Sequence, residues 1–104
     1  MDLFEALFPQ GGAARALAGQ LLEAGTSVGA NYAEAGAGQT KPDFIAKLSI
    51  ARKELRESCF WMRLIAAQGY LPPESLANDI SEAVQLMAIL RAIIEKARSS
   101  PQRG

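Results

Sequence analysis

The sequence predicts an all-α fold: an antiparallel up-and-down helical bundle whose long helices span about 12–35, 41–68 and 73–98. Three observations lead there. Apolar residues recur in alternating steps of three and four along each stretch, as they do on a helix that faces another helix. Every proline lies outside these stretches or in a first turn, where the ring is tolerated. No segment shows the two-residue alternation of a half-buried strand.

At the start, Leu3, Phe4, Leu7 and Phe8 make one or two apolar helical turns, closed by Pro9-Gln10-Gly11-Gly12. They read as the end of a helix whose beginning is absent. The first long seam is Ala14, Leu17, Leu21, Ala24, Val28, Asn31 and Ala35, broken by Gly36, Gly38 and Gln39. Thr40-Lys41-Pro42-Asp43 then supplies a capping hydroxyl, a first-turn proline and an early acid. Phe44, Leu48, Ala51, Leu55, Ser58, Met62 and Ile65 continue the second seam to Gly69, placed as a left-handed terminator.

Pro72 and Pro73 restart the chain, and Leu76, Ile80, Ala83, Met87, Leu90, Ile94 and Ala97 form an unbroken third seam. Val84, Leu86, Ile89 and Ile93 widen that helix's apolar surface beyond what one neighbour covers. Each such Leu or Ile left in water forfeits roughly 1.5–3 kcal/mol. The expectation is a further helix or another subunit over that face. Residues 1–98 read as a single domain and 99–104 as a disordered polar tail.

Composition narrows the function classes. Eleven basic residues balance eleven acidic ones, so the excess positive charge that drives non-specific nucleic-acid binding is missing overall. Local basic stripes remain. With one cysteine and no histidine, neither an internal disulfide nor an ordinary zinc site can be built. No cofactor, metal or small-molecule substrate is expected. Neither a signal peptide nor a membrane span is recognisable, which makes the cytoplasm the default location and a membrane partner unexpected.

The stretches QLLEAGTSVGANYAEA, DFIAKLSIARKELRES and FWMRLIAAQGYL resemble the blocks of bacterial four helix bundle proteins. These relate to the proteins encoded in intervening sequences of 23S ribosomal RNA genes. They also relate to the accessory variability determinant of diversity-generating retroelements. The resemblance covers about residues 17–98. It implies an antiparallel four-helix protomer, a ring-shaped homopentamer, and no enzymatic activity. RNA, DNA or a reverse transcriptase-like protein is the implied kind of partner for some relatives. Against that pattern only about Asp2 to Phe8 of the first helix is present. The expectation is a start codon assigned too far downstream. With Met1 as the true start, a groove between the second and fourth family helices would stand partly open.

Candidate sites follow, each beside its plainer alternative. Arg52, Arg56 and Arg63 lie on one side of a helix with Phe60 between them and Lys53 alongside, a pattern that can hold phosphates and stack a base. Neutral overall charge favours the plainer reading, a solvated face with ion pairs to Glu54 and Glu57 and to neighbouring helices. Asn31, on a seam position, is expected to be satisfied by a neighbouring helix and to set register, or to line an oligomer contact. Glu34 and Glu57 match two acids of the family blocks. Paired carboxylates can do acid–base work or hold a divalent ion, but more often accept hydrogen bonds within a bundle. Gly25 and Gly29, with Ala33, suggest a close helix crossing or a bend near Thr26-Ser27. Trp61 is a candidate for an oligomer interface. Cys59 has no histidine or second thiol to activate it. The Gly36-Ala37-Gly38 turn lacks the lysine–hydroxyl pair of a phosphate loop. The leading functional reading is a non-enzymatic, homo-oligomeric helical scaffold or adaptor, with the Arg52–Arg63 face as its candidate nucleic-acid contact. A protein-interaction module whose partner helix completes the shortened bundle is the second.

Overall fold

A computed structural model of the chain describes residues 3–37 and 40–100. Its helices are α1 (Leu3–Leu7), α2 (Gly12–Gly36), α3 (Lys41–Ala67) and α4 (Pro73–Ser99), with a 3₁₀ turn at Phe8–Gln10 after α1. Among the described residues there is no strand. The three long helices match the expected spans to within one residue at each end. A 27-residue helix is about 40 Å long, and the molecule measures 53 × 20 × 19 Å. Short connections therefore force the chain to reverse twice. Its radius of gyration, 15.9 Å, exceeds the roughly 13 Å of a compact sphere of this length. The fold is a rod.

Local chemistry sets the helix ends. Thr40, extended at φ −136°, accepts the Asp43 amide on its hydroxyl at 3.2 Å and caps α3. At the other end Gly69 takes φ 77°. The Tyr70 amide bonds back to the Ile65 carbonyl at 3.2 Å, and the Gly69 amide to Ala66 at 3.1 Å. This double closure needs a residue that tolerates positive φ. Ser99 is helical, not part of a tail, and both its hydroxyl and that of Ser100 donate to the Lys96 carbonyl. The remaining tail residues, 101–104, like Gly38, Gln39 and Asp2, lie outside the described residues.

α3 is the central element. Both α2 and α4 pack along it, while α2 and α4 nowhere bring their Cα atoms within 8 Å of each other among the described residues. The core divides accordingly. Its upper part joins Leu7, Ala18 and Leu21 to Met62, Ile65 and Leu76. The lower part holds Leu48, Ala51, Leu90 and Ile94 but takes only Ala35 from α2. α1 makes the difference. Leu7 is fully buried, and Phe4 and Phe8 pack beside it. Arg15 clamps the turn by donating from Nε and Nη2 to the Phe8 carbonyl.

Candidate functional site

Below α1 no described residue fills the space between α2 and α4. Val28, Gly29 and Tyr32 form one wall, Leu86, Ile89 and Ile93 the other, and Ala51 and Leu55 the floor of a groove of about 340 Å³. Tyr32 is 61% exposed and Ile89 54%. The wide apolar face anticipated on the last helix is therefore present, and no described residue covers it. Gly29 was expected to meet a close helix or a bend, and no helix among the described residues approaches it closely. A β-carbon built there, or at Gly25, would have nothing within 4 Å. α2 runs unbroken through both positions. Thr26 bonds back to the Leu22 carbonyl at 2.7 Å without interrupting it. Gly29 flattens the α2 wall of the groove.

The basic residues of α3 occupy a second region. Arg56, Arg63, Lys53 and Phe60 are exposed, whereas Arg52 is half-buried. Its Nε donates to the Met87 carbonyl at 3.3 Å, which turns it toward α4. Phe60 is not sandwiched between guanidiniums. Its ring meets Trp61 edge-on, with centroids 4.9 Å apart. Trp61 itself is half-buried against the upper core.

Acids gather on the opposite side. Glu23, Glu54, Glu57 and Trp61 line a small hollow between α2 and α3. Burial and the neighbouring Glu57 push the Glu54 carboxyl above its ordinary value. Glu34 stands elsewhere, paired with Lys47 at 2.8 Å across the α2–α3 seam. That hydrogen bond and charge raise the Lys47 pKa. Glu34 and Glu57 are thus kept apart, and no cluster among the described residues could hold a metal ion.

Asn31 spends its amide within α2, donating to the Ser27 carbonyl at 2.9 Å and the Ser27 hydroxyl at 3.2 Å. It makes no interhelical bond among the described residues, because the residue one turn back satisfies it first. Buried Cys59 is a free thiol, and burial raises its pKa against the opposing pull of Arg63. No described helix is long and apolar enough to cross a membrane.

Sequence reasoning missed one grouping. Arg91 and Arg98 approach Arg52 across the α3–α4 seam. Their spacing of seven on one helix was the available signal.

Comparison with known proteins places this geometry. The profile of a family described as 23S rRNA-intervening sequence protein matches residues 3–92. A crystal structure of a protein of unknown function from the S23 ribosomal protein family of Bacteroides thetaiotaomicron is similar, with a TM-score of 0.81 and 32% identity. The match covers 88% of this chain and 84% of that one. No curated protein matches the chain.

Proposed function

The chain belongs to the family of 23S rRNA-intervening sequence proteins, and from that premise we propose that it is a non-enzymatic helical adaptor acting through association at the α2–α4 groove. The groove is the observation that carries this reading. Leu86, Ile89 and Ile93 present an apolar ladder to water opposite the flat Gly29 wall. A helix laid between them would recover about 25 cal/mol for each Å² of apolar surface it covers. Small residues on one wall let a backbone approach closely, and large ones on the other fill its grooves. The homopentamer implied by the family resemblance is the assembly expected, and zero net charge suits a chain that associates. A cytoplasmic location fits the same role.

The second reading is nucleic-acid contact, or contact with a reverse transcriptase-like partner, through Arg52, Lys53, Arg56 and Arg63. Exposure of three of these four cations is what favours it.

Native mass spectrometry of the chain and of Ile89→Glu tests the adaptor reading. An oligomer, or a complex with an added amphipathic helical peptide, that Ile89→Glu abolishes while circular dichroism stays helical would support it. A wild-type monomer that takes up no such peptide, or assembly indifferent to the buried charge, would refute it.

A further inference from the structure

We propose that the cleft between the start of α3 and the end of α4 is a phosphate-binding site. Ser49, Arg52, Arg91, Ile94, Glu95 and Arg98 surround a hollow of about 210 Å³. Through Ser49 and Arg98 it continues into a shallower space bounded by Lys41, Pro42 and Ile45. Four cations from two helices therefore face one region holding a single carboxylate.

That carboxylate is already engaged. Arg91 Nε donates to Glu95 Oε1 at 3.0 Å, an exposed pair one turn apart on α4. Lys41 Nζ donates to the Ser100 carbonyl. Arg98 has no ion pair among the described residues. Arg52 is the fixed element. Its bond to the Met87 carbonyl uses Nε, and its terminal nitrogens have no acceptor among the described residues. A half-buried guanidinium held by its inner nitrogen, with its outer donors free, is preorganised for an oxyanion.

Phosphate suits the cleft better than a carboxylate. Ser49 and three arginines from two helices border the cleft, a donor set large enough for a tetrahedral group with three terminal oxygens. A planar carboxylate is filled by one or two such forks. The helix ends do not supply the attraction: the positive start of α3 lies beside the negative end of α4, and these partial charges offset each other. The side chains do. Net charge is zero, yet Glu23, Glu54 and Glu57 line a separate hollow between α2 and α3. Such segregation gives a neutral protein a locally positive surface.

The phosphate could come from a nucleic-acid backbone or from a free phosphate compound. Arg56 and Arg63 continue from Arg52 at about 6 and 16 Å along α3, a track that only an extended polyanion could use. The test is a titration of the whole chain, followed by ¹H–¹⁵N correlation spectra, with inorganic pyrophosphate and then with a short single-stranded RNA. The controls are chloride at matched ionic strength and the double variant Arg91→Gln, Arg98→Gln. Both substituted side chains are exposed, and circular dichroism checks that the variant folds.

Saturable shifts confined to Ser49, Arg52, Arg91 and Arg98, weakened about tenfold or more in the variant, are the expected result. Pyrophosphate binding without RNA binding would assign the site to a free phosphate compound. RNA that competes with pyrophosphate and also needs Arg56 would assign it to a nucleic-acid strand. Either supports the phosphate chemistry. Shifts no larger than with chloride, shifts spread over unrelated cations such as Arg15, or affinity unchanged in the variant would overturn it. None of these readouts depends on the α2–α4 groove, so the two proposals fail separately.

Discussion

The Gln10 side-chain amide donates to the Tyr70 carbonyl at 2.9 Å, joining the turn after α1 to the loop between α3 and α4, 60 residues apart. The same nitrogen reaches the Ala6 carbonyl at 3.1 Å, so one side chain ties α1 to the loop between α3 and α4. Underneath, Leu7 closes the upper core.

This division of labour predicts unequal costs. Leu7→Ala should lower stability by about 2–5 kcal/mol, as for a fully buried leucine. Gln10→Ala, which removes exposed hydrogen bonds, should cost about 0.5–1.5 kcal/mol. Urea denaturation monitored by helicity measures both. If Gln10→Ala proves the costlier, burial of Leu7 is not what holds α1.

Gly69→Ala should destabilise the chain by about 1–2 kcal/mol, since alanine in a left-handed conformation crowds its own backbone. The space around Gly69 is open, so the penalty is conformational. Gly69→Asn should recover part of it. Thermal melts of the three proteins would expose an error if alanine and asparagine cost the same.

The bundle was largely legible in the sequence because its determinants are local. The seam from Leu48 to Ile65 and the Thr40 and Gly69 stops each act within a turn or two, and the helices formed where they say. The site was less legible because side chains choose among competing partners. Asn31 sits on a seam position, yet its amide is satisfied by Ser27 one turn back. Arg52 shares a helix side with Arg56 and Arg63, but the Met87 carbonyl draws it toward α4. Gly25 and Gly29 looked like a crossing point, and only the folded chain reveals that both face open space and that Gly29 lines the groove.

Gly29→Ala separates stability from association. Nothing lies within 4 Å of the added methyl, so the isolated chain should gain roughly 0.5–1 kcal/mol from the better helix former. The same methyl narrows the groove and should weaken docking of a helix. A melting temperature that rises while peptide binding falls is the expected pair of results. Binding that improves alongside stability would contradict the placement of the groove.

Glu54 makes stability depend on pH in a definite direction. Its folded pKa is raised, first by burial and then by Glu57, so the folded state holds this proton more tightly than the unfolded chain. The resulting stabilisation is complete below the ordinary carboxylate pKa. It is lost as pH rises through the raised value. Glu54→Gln should therefore raise the melting temperature more at neutral pH than at mildly acidic pH. An equal rise at both would mean that the carboxyl titrates normally.

Cys59 should resist chemistry in the folded chain. It is 1% exposed, and burial holds its thiol above the usual pKa, which depletes the reactive thiolate. Alkylation by iodoacetamide should be slow in native buffer and fast in denaturant. Rapid native labelling would show that α3 opens around this residue.

The central place of α3 also determines how quickly the chain can find its fold. Among the described residues the close backbone approaches of the long helices are to neighbours in sequence, so contacts form across short loops at little entropic cost. Such low contact order belongs to the microsecond-to-millisecond class of folding reactions. α1 is an exception at its far side, because its bond to Tyr70 must wait until α2 and α3 have brought the ends together. The two α-hairpins can therefore assemble first, and the short first helix closes over them last.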